Sequence, residues 1–386
     1  MPDDRRLPRL VPLILALLVT LTGCGRGHFP AKTATAPEKG RQGWRTAWHG
    51  PQEALGEYIE RYRERNDLPG LSIALVDLRH GGWSRGFGLA DRERRLAASA
   101  ETVYRAGSLA KLYTATAVMQ LAAEGRIDLD RPVRDYLPRF RVRQRFAGAR
   151  AITVRDLLTH HSGLPCDLTK GMWSRSPYMS AVAHLDEVYT SHRPGEIFSY
   201  SNLGYTLLGR LVESVAGSPY QMYLQEHVLE PLGSAQTGFA TGAETVPGLA
   251  AGYRDGRRGT PPPVRDLAAM GLHTNARDLA GLLRAYLSHG AADGRQVLPS
   301  AAVRAMFQPQ NEGVALDFDL RVGLGWFLDA GGLGGAGTVA RHSGTTPYFA
   351  SEVILLPDQE MGVAVLSNRG DAQWAVSTLA EAVLRQ

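Results

Sequence analysis

Apolar positions divide the chain into helical and extended stretches. Leu55, Ile59 and Tyr62 recur at helical spacing, and Asp67-Leu68-Pro69-Gly70 stops that helix. An apolar run at 71–78, then Gly81-Gly82, then a second extended run at 83–89 predict a β-hairpin. A long helix is predicted over 108–124. Leu109, Leu112, Val118, Met119 and Leu121 give it apolar surface, and Gly125 ends it. From there to about residue 290 the pattern is mostly helical, with runs at 154–159, 203–215, 220–229 and 277–287. Strands return late. The run at 348–356 ends at Pro357-Asp358, and 362–366 pairs with it as an antiparallel hairpin. A last helix covers 372–385.

Strands at both ends with helices between them predict an α/β (α+β) fold. One antiparallel sheet is built from both ends of the chain and flanked by the terminal helices, and an all-helical lobe is inserted. The expected sheet lobe takes about 48–107 and 290–386, and the helical lobe about 108–289. A cleft between two such lobes is where a site is expected.

The first residues follow a different rule. Arg5, Arg6 and Arg9 precede an almost wholly apolar stretch at 10–22, too short for an ordinary membrane span. That is the pattern of an export signal. It ends in Leu21-Thr22-Gly23-Cys24, which resembles the lipobox of bacterial lipoproteins. The resemblance implies a signal peptide at 1–23, diacylglycerol on Cys24, and a membrane-held protein at the cell envelope, its catalytic body outside the cytoplasm. Residues 24–47 are rich in Gly, Pro, Thr, Ala, Lys and Arg, and read as a flexible tether to a body at 48–386. Only two cysteines exist; if Cys24 is acylated, Cys166 has no partner, and a disulfide is not expected.

Composition narrows the function classes. Hydrophobic residues are 44% and charged residues 21%, which suits a globular enzyme. The net charge of +5 is dispersed, with no basic stripe and no nucleic-acid recognition motif, so no nucleic-acid partner is expected. His160-His161 lacks a nearby carboxylate set, so neither a metal nor another cofactor is expected.

Three short motifs carry chemistry. In Ser108-Leu109-Ala110-Lys111 a hydroxyl and an amine stand one helical turn apart, so the amine can take the proton that a serine nucleophile must lose. The start of the helix also offers N–H groups to a developing oxyanion. Alone, this spacing is common. In Tyr200-Ser201-Asn202 a phenol can pass a proton and an amide can hold Lys111 or a carbonyl, although Ser201 and Asn202 also suit a helix cap. In His342-Ser343-Gly344-Thr345 the glycine permits close backbone approach, and the Thr345 N–H is a candidate second oxyanion donor opposite that of Ser108.

In that order the three motifs resemble the serine β-lactamase and penicillin-binding-protein superfamily, in its class C and D,D-peptidase/esterase branch. Further stretches agree: the run from Asp156 through Thr159-His160-His161-Ser162-Gly163-Leu164-Pro165, then Glu230-Pro231-Leu232-Gly233, Gly271-Leu272-His273-Thr274 and Gly323-Leu324-Gly325-Trp326. The resemblance spans about residues 50–386. It implies Ser108 as the acylated nucleophile, Lys111 as base, Tyr200 as proton shuttle and Asn202 as positioning residue. His342, Ser343, Gly344 and Thr345 become the substrate-side strand, and His160-His161 part of a structural turn. Which of Lys111 and Tyr200 takes the serine proton stays open.

β-Lactamases of this branch carry Lys-Thr-Gly at the third motif, whereas this chain has His342-Ser343-Gly344. That favours an esterase or D,D-peptidase with a small-molecule or peptide substrate. A class C-like β-lactamase is the alternative enzyme, and a penicillin-binding or regulatory protein with little turnover is the alternative of another class. Trp173, Tyr178, Tyr348 and Phe349 are candidates for lining the cleft, the last two because they follow the third motif.

Overall fold

The computed structural model describes residues 52–168, 172–174, 184–242, 246–330 and 333–385. The expected signal and tether, with Cys24, and also Tyr178, lie outside the described residues.

The chain opens with α1 (Gln52–Arg65), followed by strands β1 (Gly70–Asp77), β2 (Gly81–Asp91), β3 (Leu96–Ala97) and β4 (Tyr104–Gly107). Next come α2 (Ala110–Ala123), α3 (Val133–Tyr136), α4 (Val154–Leu158), α5 (Asn202–Ala216) and α6 (Tyr220–Leu224). Short strands then alternate with helices: β5 (Gly238–Phe239), β6 (Gly252–Arg254), β7 (Arg257–Gly259), α7 (Leu267–Met270), β8 (Leu272–Thr274) and α8 (Ala276–Leu287). After β9 (Ala291–Ala292), β10 (Arg295–Gln296) and α9 (Ser300–Met306) come β11 (Arg321–Val322), β12 (Phe327–Ala330), β13 (Thr338–Thr346), β14 (Phe349–Leu356) and β15 (Met361–Ser367). α10 (Gln373–Leu384) ends the fold.

Eight strands form one antiparallel sheet in the order β11-β12-β13-β14-β15-β1-β2-β3. The two ends of the chain meet where β1 pairs with β15, from Leu71↔Ser367 to Asp77↔Met361. This is the expected α/β arrangement. β1, β14 and β15 are buried along their whole length, because both faces of the sheet are covered. Leu71, Ile73, Leu75, Val363 and Val365 pack with Ile59 of α1 and with Val376, Leu379 and Val383 of α10. Ala74, Val76, Ala364 and Leu366 point the other way, into the core shared with α2 and α8. A strand buried on both faces reads as a continuous apolar run, which is why β1 shows little alternation.

α2 is buried all round, from Ala110 to Leu121. It starts two residues later than expected, so Ser108 and Leu109 form the tight turn before it, and the Lys111 N–H donates to the Ser108 carbonyl at 3.0 Å. The run predicted over 220–229 is α6 followed by a wider π turn at Gln225–Leu229. The lobe expected to be all-helical over 108–289 is not: it holds β5 to β8, and sequence patterning missed the small sheet β4-β8-β5, whose strands are two to four residues long. That sheet carries Ser108 on the end of β4.

Candidate active site

Three elements bring the motif residues together. β4 runs into the turn that holds Ser108, with α2 behind it. The Ser201 hydroxyl caps α5, accepting from the Gly204 N–H at 2.9 Å and donating to the Pro165 carbonyl at 2.7 Å. The expected helix cap therefore exists, and it sets Tyr200 and Asn202 on either side of Ser201. His342 to Thr345 lie inside β13, which pairs with β14.

Two glycines permit β4 and β13 to meet. A side chain at Gly344 would strike the Ala106 carbonyl, and one at Gly107, where φ is +55°, would strike the Thr345 backbone. The Ser351 hydroxyl adds a bond to the Ala106 carbonyl at 2.9 Å. The backbone of Thr345 is thereby held next to the turn of Ser108, where the N–H groups of both residues can serve one oxyanion. β12 pairs with β13 only from Thr338 to Arg341. Residues 342–346 have β14 on one side, and among the described residues no strand pairs with their other edge, to which an extended substrate backbone can add.

Lys111 is fully buried. Its Nζ lies 3.2 Å from Ser108 Oγ, 2.7 Å from Asn202 Oδ1 and 2.8 Å from the Ala269 carbonyl. Burial pulls its pKa from 10.5 down to about 7, against the opposing pull of Asp167 and Asp266. A neutral amine has two N–H donors and one lone pair. Asn202 and Ala269 take the donors, which leaves the lone pair for the Ser108 hydroxyl. Burial raises the Tyr200 phenol well above its usual range, and its hydrogen bond with Ser108 offsets this only in part. Tyr200 therefore stays protonated near neutral pH, whereas Lys111 titrates there.

His342 is buried and its pKa is brought down to about 3, first by burial and then by the nearby Lys111. It is neutral, and its Nδ1 donates to the Ser343 carbonyl at 2.8 Å. The third motif therefore offers no fixed positive charge.

Several groups around these residues were not singled out from the sequence. Asn202 Nδ2 donates to Asp167 Oδ1 at 2.9 Å. Arg265 and Asp266 form a fully buried two-pronged ion pair, at 2.6 and 2.8 Å, and the Asp266 carboxylate pulls the Lys111 pKa upward. Asp266 and Ala269 lie five and two positions before the Gly271-Leu272-His273-Thr274 block, and Asp167 follows Ser162-Gly163-Leu164-Pro165 at two residues' distance; those blocks were the available signals.

Two expectations need correction. Phe349 does not line the cleft: it is fully buried and packs edge-to-face on Tyr104, and its neighbour Tyr348 lies against Gly252 and Gly259 of the β6–β7 hairpin. Trp173 is 40% exposed. Cys166 was expected to stay unpaired, but it is disulfide-bonded. It is half-buried on the loop beside the site, its Sγ 3.9 Å from Asn202 Nδ2.

The family model described as Beta-lactamase matches residues 55–385. Penicillin-binding protein 4 of Amycolatopsis lactamdurans is 31% identical over 345 residues, covering 82% of this chain and 85% of that protein. Protein flp of Staphylococcus aureus (strain NCTC 8325 / PS 47) is 27% identical over 333 residues, but the match spans only 63% of its length. Among solved structures, the octameric penicillin-binding protein homologue from Pyrococcus abyssi aligns with TM-score 0.73 and 28% identity, over 86% of this chain and 76% of that one. The Beta-Lactamase/D-Alanine Carboxypeptidase from Pseudomonas syringae aligns with TM-score 0.72 and 19% identity, over 86% and 98%, which is a likeness of fold.

Proposed function

The chain belongs to the Beta-lactamase family, and from that premise we propose that it is a serine hydrolase that forms an acyl-enzyme on Ser108 and cleaves ester or D-alanyl amide bonds. One observation carries the reading: the Lys111 amine lies 3.2 Å from Ser108 Oγ while Asn202 and Ala269 occupy its other two positions. In the first step Ser108 Oγ attacks the substrate carbonyl and its proton passes to Lys111 Nζ. The N–H groups of Ser108 and Thr345 hold the oxyanion. Tyr200, bonded to Ser108 and beside Lys111, relays the proton to the leaving oxygen or nitrogen as the tetrahedral intermediate collapses. Water then attacks the acyl carbonyl, gives a proton back along the same path and frees Ser108.

The neutral His342 supports an uncharged ester substrate over an anionic β-lactam; a D-alanyl peptide that ends in a free carboxylate presents the same charge as the β-lactam. The proposed place of action is the cell envelope, with the protein held by lipid on Cys24. The test is a side-by-side assay of purified protein on p-nitrophenyl esters, D-alanyl peptides and nitrocefin, with Ser108→Ala as control. Turnover of an ester or peptide that disappears in the control supports the reading. Absence of turnover on all three, with stoichiometric acylation by penicillin, would make the chain a penicillin-binding protein with little turnover.

A further inference from the structure

His160 grips Tyr200 from three directions. Its backbone carbonyl accepts from the Ser199 N–H at 2.8 Å, and its ring Nδ1 accepts from the Ser201 N–H at 3.0 Å. Tyr200 is thus bracketed by bonds from its two chain neighbours to one residue. The His160 ring also lies over the Tyr200 ring, with centroids 4.3 Å apart and planes 32° from parallel. Tyr205 and Phe327 complete the stack, at 5.0 and 6.5 Å from His160.

Reaching this position has a conformational cost. His160 has φ +63°, in the left-handed region where a non-glycine residue is uncommon. The next residue locks the same segment. His161 Nε2 bonds Asp317 Oδ2 at 2.7 Å, and Asp317 Oδ1 accepts from the Phe198 N–H at 2.6 Å. The His161 carbonyl accepts from the Gly195 N–H at 2.8 Å. The strained residue is the one whose carbonyl and ring nitrogen both bind the neighbours of Tyr200, so the strain is retained where it positions that side chain.

We propose that His160 is the positioning residue for Tyr200, holding the phenol in line between Ser108 and the leaving group. This rests on the hydrolytic reading of Ser108, Lys111 and Tyr200. His160 touches no reacting atom and acts through the placement of the Tyr200 ring. Its Nδ1 must remain an acceptor for the Ser201 bond, which burial favours by holding the ring neutral. The role belongs to the whole residue: carbonyl, ring nitrogen and ring face each fix one degree of freedom of the tyrosine.

The test is a double-mutant cycle on the intact protein with a p-nitrophenyl ester. His160→Gly removes the ring without straining the backbone. His160→Asn tolerates the positive φ and keeps an acceptor for Ser201, but has no ring face. The Gly variant is expected to lower kcat by about 10- to 100-fold, with KM changed by less than about threefold, and Asn is expected to recover part of the loss. In a Tyr200→Phe background, either change should cost less than about twofold more. Equal losses in both backgrounds would overturn the proposal and make His160 a stability residue. If Tyr200→Phe alone leaves kcat intact, the role given to Tyr200 fails first, and that of His160 with it. Should the Gly variant not fold, the Asn variant decides: its loss must appear with Tyr200 present and vanish with Phe in its place.

Discussion

Asn202 Oδ1 lies 2.7 Å from Lys111 Nζ and so fixes where the amine's lone pair can point. The same side chain is fixed in turn by Asp167 at 2.9 Å. With Ala269 holding the second proton, a deprotonated Lys111 faces Ser108, while a protonated one cannot act as base. Hydrolysis should therefore rise with pH through about 7, the value to which burial brings Lys111, and level off above it. Asn202→Asp puts a carboxylate against the amine and should move this limb upward by about one pH unit or more. The check is kcat/KM for a p-nitrophenyl ester from pH 5 to about 9, across the window that Lys111 titration predicts. A limb unmoved in Asn202→Asp would remove Lys111 as its source.

The same shift acts on stability. Folded Lys111 loses its proton near 7 and the unfolded residue near 10.5, so between these values the unfolded chain binds more protons. Stability owed to this residue rises with pH across that window; the burial cost is complete below it and absent above. Lys111→Met should abolish activity yet raise stability at pH 6 by about 1–3 kcal/mol, with the gain shrinking toward pH 9. Urea melts of both proteins at the two pH values measure it. A less stable variant at pH 6 would mean that the bonds to Asn202 and Ala269 outweigh the desolvation of the ammonium.

Labelling tests the nucleophile directly. A fluorophosphonate or penicillin should add one adduct per chain, on the peptide bearing Ser108. Ser108→Ala should lose it, and Lys111→Ala should slow it by at least about 100-fold. Labelling that persists in Ser108→Ala would sink the assignment.

The parts legible in the sequence are those fixed by short-range rules. The hairpins 70–91 and 349–367 and the capped helix at Asn202 announce themselves through runs, turns and caps. Ser108 and Lys111 were legible because one helical turn joins them. What escaped depends on long-range contact. Asp266 and Ala269 lie more than 150 positions from Lys111 and reach it only because α7 packs on α2. Phe349 follows the third motif, yet the alternation of β14 turns it into the core. His160 reads as part of a turn, and nothing short of coordinates shows that the turn closes over Tyr200.

The two cysteines have competing chemistries. Lipidation would convert the Cys24 thiol to a thioether, and a thioether cannot at the same time enter a disulfide. The anchoring proposal expects the mature protein from an envelope fraction to begin at Cys24 with a lipid mass on it. Cys24→Ala should abolish both the lipid and processing at that point. Intact-mass and peptide mapping under non-reducing conditions discriminate between the two, since an unlipidated Cys24 in a disulfide would end the lipoprotein reading.

Substrate preference turns on His342. A β-lactam presents a carboxylate, and a site that favours it needs a lasting positive charge near the third motif. His342 is only 2% exposed and its pKa is near 3, so it stays neutral at any pH where Lys111 is active. Deacylation must also be fast for a β-lactamase, which requires a water and a base on the open side of the acyl group. We expect kcat/KM for a short-chain p-nitrophenyl ester to exceed that for nitrocefin, with β-lactams acting mainly as slow acylators. His342→Lys would place its amine in the same buried spot beside Lys111, where it too sheds its proton easily. The substitution should therefore shift preference toward nitrocefin by less than about tenfold. Both constants are measured on one preparation of each protein. If nitrocefin is clearly the better substrate of the unmodified enzyme, anion recognition comes from a group other than residue 342, and the chain is a β-lactamase.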